Sequence, residues 1–264
     1  RRSTYGCNEG IYTFLYLMQD IFRGRLLYVL LTFVTLNVYG NFYQEKDMKE
    51  LTVKKISADT ISAEKVPALF EQEQIAYQSV ANVNWKEAYP YCPKVEFGIA
   101  YTDKAVLLHY RVTEESVRAV AGHDNGPVWE DACVEFFSIP GDDGIYYNVE
   151  CNCTGTLLVG AGSTRSNRQH ASQEVLDSVS RWASLGKEDF EERVGECSWE
   201  VALVIPFSTF FLHGIQSLEG KSVRANFYKC GDKLQTPHFL SWNPIDLPKP
   251  DFHCPDFFGM LRFE

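Results

Sequence analysis

From position 49 onward, apolar residues recur mainly at every second position, the spacing of strands with one face in a core. Val95, Phe97, Ile99 and Tyr101 alternate with Glu96, Gly98 and Ala100. After a turn at Thr102-Asp103-Lys104, Val106, Leu108, Tyr110 and Val112 alternate again, which predicts a hairpin. Further strands are predicted at 133–139, 146–153, 199–205, 223–229 and 258–263. The segments between them carry turn chemistry, as in His123-Asp124-Asn125-Gly126-Pro127, Gly141-Asp142-Asp143-Gly144 and Gly231-Asp232. Only 171–185 has near-helical spacing, through Val175, Val179 and Trp182. Many strands, frequent turns and at most one or two short helices predict an all-β fold, an antiparallel two-sheet sandwich of jelly-roll or immunoglobulin-like type.

The first 47 residues stand apart from this pattern. Residues 26–36, LLYVLLTFVTL, follow Arg23 and Arg25 and precede Val38-Tyr39-Gly40. Three readings fit. Residues 18–40 form a signal peptide cut after Gly40, the apolar run is a membrane anchor, or translation begins at Met48 and 1–47 is an upstream extension. An apolar run this short is poorly suited to crossing a bilayer. A start at Met48 implies a cytoplasmic protein, and a signal peptide implies a secreted or periplasmic one. In each case 48–264 is expected to be one β-sandwich domain with no membrane contact.

Composition narrows the partners. The 264 residues are 45% hydrophobic, 14% aromatic and 23% charged, which excludes a disordered chain. Net charge is −10, and the first 47 residues hold five Lys/Arg against four Asp/Glu. The remainder, with 20 basic and 31 acidic side chains, carries −11 and repels phosphate backbones, so no nucleic-acid partner is expected. Eight cysteines include no CxxC pair, which leaves a zinc ribbon or thioredoxin-like centre without support. Cys151 and Cys153 fall on one strand face, where a mutual disulfide has poor geometry. The thiols read as free, small apolar residues of a reducing compartment.

Catalytic motifs are missing. There is no GxSxG, HExxH, P-loop or GxGxxG, and the six histidines are scattered. Glu130, Asp131, Glu135 and Glu150 fall in two neighbouring strand segments, so a glycoside hydrolase using Glu135 and Glu150 is one reading. The plainer reading has Asp131 capping a turn and Glu135 bonding backbone or a basic side chain. Strand faces say more. Tyr146, Asn148, Glu150 and Asn152 share one face of their strand, and Arg224, Asn226 and Tyr228 share one face of another. Aromatic planes mixed with amides and charges suit a surface that stacks on sugar rings and pairs with hydroxyls. An ordinary outer face with cross-strand pairs would look similar. Trp129 and Trp242 each lie where a strand meets a Pro-bearing loop, a setting typical of binding surfaces. Trp85, Trp182 and Trp199 fit a core or a helix face.

The run Pro127-Val128-Trp129-Glu130-Asp131-Ala132-Cys133-Val134-Glu135-Phe136-Phe137 resembles the W-x-D-(small)-x-V-E-x-F signature of family 9 carbohydrate-binding modules, in the DOMON-like β-sandwich superfamily. Tyr146 to Glu150, WEVALVIP at 199–206 and Arg224 to Lys229 follow in the family's strand order. The tail Pro250-Asp251-Phe252-His253-Cys254-Pro255-Asp256-Phe257-Phe258-Gly259 is similar to that of compact, stand-alone members of the Bacteroides type.

The resemblance implies non-catalytic binding of an oligosaccharide or polysaccharide, xylan- or cellulose-like, in polysaccharide catabolism. By the family pattern Trp129 and Trp242 would clasp the sugar, with Glu135, Asn148, Arg165 and Asn226 as polar contacts. Structural calcium is a family property, but Asp124, Asp142 and Asp143 are dispersed and lack EF-hand spacing, so no metal and no other cofactor is expected here. The wider superfamily also holds haem modules, for which His238 and Met260 would be the available axial ligands.

Overall fold

In the computed structural model the alternating segments resolve into two facing sheets, described over residues 48–58 and 61–264. The segment 1–47, with its signal-peptide, anchor and upstream-extension readings, lies outside the described residues. No helix among the described residues is long and apolar enough to cross a membrane.

The back sheet is built on β4 (Lys94–Tyr101) and β5 (Ala105–Ala119), the hairpin predicted from the alternation. The long β11 (Phe190–Pro206) pairs antiparallel with β5, and β10 (Ser180–Ala183) borders β11. Short β2 (Gln78–Ser79) lies on β4. The front sheet runs β14 (Gly259–Phe263), β12 (Ser222–Cys230), β6 (Cys133–Ile139), β7 (Tyr146–Asn152), β8 (Leu157–Gly162) and β9 (Arg168–His170), every neighbour antiparallel. β13 (Phe239–Ser241) extends from β12 to β3 (Asn82–Val83). One strand departs from the antiparallel expectation: β1 (Glu50–Lys55) runs parallel to both β14 and β4 and so joins the two sheets at one edge.

Period-two patterning places every second side chain between the sheets. Val95, Phe97, Ile99, Tyr110, Val201 and Leu203 of the back sheet meet Val134, Phe136, Val149, Val159, Ala225 and Phe227 of the front sheet in one buried core. At its centre Phe97 stacks on Phe227 with centroids 3.6 Å apart, tying the layers together. Each such buried ring contributes about 1.5–3 kcal/mol. The core also encloses one ion pair, Lys229 Nζ to Glu114 Oε2 at 3.0 Å, with both side chains fully buried. Trp199 Nε1 donates to Glu114 Oε1 at 2.6 Å, so the carboxylate is held from two sides.

The helical elements differ from expectation. The predicted helix at 171–185 shrinks to α2 (Gln173–Ser178), which starts at the Ser172 cap. The chain then extends into β10, where Trp182 pairs opposite Ala202. Pairing along the exposed edge of β11 overrides the weak helical spacing of Val179 and Trp182. A helix without a matching prediction, α1 (Val66–Gln72), has Pro67 in its first turn and buries Val66 and Phe70 against the outer side of the back sheet. Gly98 permits this approach, because a Cβ there would lie 2.9 Å from a ring carbon of Phe70.

Candidate functional site

On the outer side of the front sheet, alternation brings Cys133, Glu135 and Phe137 of β6 beside Tyr146, Asn148 and Glu150 of β7. The same face of β12 presents Tyr228 and Cys230. This is the mixed aromatic and polar face expected for β7, and it floors a cavity of about 410 Å³. That size falls in the range typical of small-molecule sites.

The walls come from two loops. The 3-10 turn Val128–Glu130 is clipped to the end of β12, with Asp232 N donating to Trp129 O and Lys233 N to Glu130 O, each at 3.2 Å. This leaves the Trp129 ring at the rim, 39% exposed. Opposite, the loop after β13 folds back over the sheet. Phe252 stacks on Tyr228 at 4.1 Å, Tyr146 Oη meets His253 Nδ1 at 2.9 Å, and Trp85 Nε1 donates to Leu247 O at 2.7 Å.

A relay of polar groups crosses the floor. Arg168 lies over β8, its Nε donating to Asn148 Oδ1 at 3.0 Å and its Nη2 to Tyr146 O and Gly160 O at 3.1 Å. Its guanidinium also covers the Tyr146 ring at 4.1 Å. Gly160 makes room for this path, since a Cβ there would lie 2.7 Å from Asn148 Oδ1 and 3.4 Å from Arg168 Nε. Asn148 Nδ2 then donates to Glu150 Oε1 at 2.7 Å. The other oxygen, Glu150 Oε2, is buried without a partner.

Electrostatics mark the same floor. Glu135 and Glu150 are direct register partners on adjacent strands and are both almost fully buried. Burial pushes the Glu150 carboxyl up to about 7. Glu135 is raised well above the carboxylate range by burial, then by Cys230 and Glu150. Burial, with Glu130 nearby, lifts Asp232 to about 6. Three acids held toward neutrality round one cavity can accept or donate hydrogen bonds to a neutral polar ligand. Glu135 and Glu150 rise side by side from one floor, each bonded to a neighbour, Glu135 to Cys230 and Glu150 to Asn148.

Of the residues singled out in the sequence, Trp129, Glu135, Asn148 and Arg165 line the cavity together. Arg165 is exposed and lies 3.5 Å from Asp251 Oδ1. Trp242, expected as a second clamp, is instead in the core, 1% exposed and edge-on to Phe97 and Phe227. The strand-to-loop position that suggested a binding role turns its ring inward, packed beneath Gly259. Asn226 is also withdrawn from the cavity. Its amide bonds Asn243 O at 3.1 Å and accepts from Asn243 N at 2.8 Å, which anchors the loop after β13.

Of the other lining residues, Arg168 had no sequence signal, while Asp232 and His253 were legible only as a turn residue and as part of the family-like tail. Gly160 was the available sign that a long side chain crosses β8, whereas Gly162 makes room for the backbone at Asn167.

The other expectations also receive an address. Asp131 does cap, its Oδ2 accepting from Val120 N, Ala121 N and Asn152 Nδ2, each at 3.0 Å. Glu135 accepts from Cys230 Sγ at 3.0 Å, not from backbone or a basic side chain. His238 is unsuited to haem, because Lys229 Nζ and Thr236 O occupy its two ring nitrogens at 2.8 and 2.9 Å. Of the aspartates considered for calcium, Asp124 is paired with Arg181 at 2.7 Å and Asp143 lies 3.2 Å from His213.

Residues 64–263 match the sequence profile of carbohydrate-binding family 9. A candidate carbohydrate-binding protein from Bacteroides uniformis ATCC 8492 is 58% identical, its structure covering 82% of this chain and 100% of its own with a TM-score of 0.80. A family 9 module from Caldicellulosiruptor kristjanssonii in complex with glucose is 10% identical, covering 82% of this chain and 96% of its own at a TM-score of 0.53. The same organism's family 9 module in complex with cellotriose is 12% identical, covering 82% and 94% at 0.50. At that identity the likeness concerns the fold. No curated protein matches the chain.

Proposed function

Because the chain belongs to carbohydrate-binding family 9, we propose that the front-sheet cavity binds a saccharide without cleaving it, as the recognition step of polysaccharide catabolism. The ligand class is an oligosaccharide or chain end of the cellulose or xylan kind. The observation that carries this reading is the exposed Trp129 ring above a floor holding an unpartnered carboxylate oxygen of Glu150. The apolar C–H face of a pyranose would stack on Trp129, contributing about 1–3 kcal/mol by analogy with base stacking. Its hydroxyls would donate to Glu150 and Asp232 and accept from Arg165. A partly protonated Glu150, with its pKa near 7, can also act as a donor.

Isothermal titration of the protein with glucose, cello-oligosaccharides and xylo-oligosaccharides tests the reading. Binding in the millimolar to micromolar range is expected for one of these series, a free energy of about 4–8 kcal/mol. Trp129→Ala should abolish it while the melting temperature stays within about 2 °C, since an exposed ring contributes little to the core. Folded protein that binds none of them, or full binding by the Trp129→Ala variant, overturns the proposal.

A further inference from the structure

The same floor also holds a cluster of sulfur and oxygen ligands, of which the two thiols have no part in the saccharide reading. Cys133 and Cys230 are register partners on β6 and β12, and Glu135 follows two residues along β6 on the same face. Their ligand atoms, two thiol sulfurs and a carboxylate oxygen, all lie within 4.8 Å of one another, and all three residues are buried. Cys230 Sγ and Glu135 Oε1 are 3.0 Å apart. Glu150 faces Glu135 across the strand pair, and its Oε2 is buried with no partner. Cys151 and Cys153 belong to the core between the sheets, so the arrangement on the outer face is specific to this pair.

We propose that Cys133, Glu135 and Cys230 form a binding site for a borderline-soft divalent cation, zinc above all. Two sulfurs and one oxygen disfavour calcium and magnesium, which take all-oxygen shells, and suit tetrahedral zinc. Zn–S bonds of about 2.3 Å put tetrahedral ligands about 3.8 Å apart, a spacing inside the 4.8 Å that spans these three atoms. Cys230 and Glu135 also line the cavity, from which a water would complete the shell at the fourth vertex. Binding releases both thiol protons, and any carboxyl proton on Glu135, to water, leaving two thiolates and one carboxylate on the metal. The site stands whether or not the cavity takes a sugar.

The test is cobalt titration of the reduced, EDTA-stripped full chain, with zinc competition. One cobalt per chain should bind, giving thiolate-to-cobalt charge-transfer absorption and tetrahedral visible bands that zinc removes. Cys230→Ser should abolish the charge-transfer intensity or halve it. Glu135→Gln, which keeps shape and both thiols, should weaken zinc by more than the about 10–100-fold that losing an outer-shell partner costs. Cys151→Ser, with its thiol in the core, should leave the spectrum unchanged. Absence of the bands in folded protein whose thiols are all titratable after denaturation overturns the proposal. So does a spectrum indifferent to both Cys230→Ser and Glu135→Gln. Loss of two titratable thiols through a Cys133–Cys230 disulfide that re-forms as soon as reductant is removed would likewise replace the metal site with a crosslink.

Discussion

The two outer faces of the sandwich make a controlled comparison. Both sheets bury polar side chains on the side away from the shared core, yet they treat them differently. On the back sheet α1 lies over the surface. His109 beneath it is fully buried, with Tyr77 Oη at Nδ1 and Glu200 Oε2 at Nε2, 2.8 Å away. Burial lowers the pKa of that imidazole, and both of its nitrogens have partners. On the front sheet no helix of the described residues covers the floor, and the loop after β13 with the Trp129 turn leaves a cavity. There Glu150 Oε2 stays unpartnered. A buried polar group that is satisfied and covered is structural, whereas one left unsatisfied at the base of a cavity is an invitation to a ligand.

Removing the lid from the covered face should give the largest effect. Phe70 is fully buried and packs on Gly98, with His109 and Tyr77 edge-on to its ring. Phe70→Ala should cost about 3–5 kcal/mol in urea unfolding. Saccharide affinity should be unchanged, because Phe70 serves the opposite face of the molecule. Lost affinity in protein that remains folded would show that the two faces are coupled and would break the comparison.

The next effect belongs to the open face and depends on pH. The ordinary glutamate pKa is 4.5, and burial raises that of folded Glu150 to about 7. Between those values the folded chain binds a proton that the unfolded chain does not. The stabilisation tied to that proton is complete below 4.5 and is lost as pH rises through 7. Glu150→Gln is permanently neutral and lacks this dependence. In EDTA, wild type should therefore lose of order 2 kcal/mol relative to Glu150→Gln between pH 5 and pH 8. Urea midpoints at the two values measure it. Parallel stabilities would mean that Glu150 is ionised and solvated in the folded protein, with no unmet demand at the floor.

How far the sequence could foresee this contrast follows from what carries each part. Strand faces were legible because period two is imposed locally, and Tyr146, Asn148 and Glu150 fall together as their alternation requires. The register that sets Cys133 against Cys230 joins strands nearly a hundred residues apart, and no local signal encodes it. Trp129 and Trp242 sit in similar local settings, yet one ring is at the rim and the other is under Gly259. Long-range packing decides between them. Helix α1 was illegible for a related reason: its seven residues are stabilised less by their own periodicity than by the flat patch at Gly98. The resemblance to family 9 located the pocket turn at Trp129, but it also proposed Trp242 and Asn226, which support the fold and the loop behind the cavity.

The smallest effects come from one substitution made on both faces. A Cβ at Gly98 would lie 2.9 Å from Phe70, and one at Gly160 would lie 2.7 Å from Asn148 Oδ1. Each variant overpacks by a single methyl group, a strain of about 1 kcal/mol at the low end of such changes. The consequences should separate. Gly98→Ala should shift the urea midpoint with saccharide affinity intact, because what moves is the covering helix. Gly160→Ala should displace Asn148 from Arg168 and Glu150, lowering affinity about three- to tenfold, which is about 0.7–1.4 kcal/mol. Its stability loss should be smaller than that of Gly98→Ala, since the cavity gives Asn148 somewhere to go. Should Gly160→Ala cost stability alone, the Arg168–Asn148–Glu150 relay would be scaffolding like the His109 cluster, and the ligand-facing role would fall to Trp129 and Asp232.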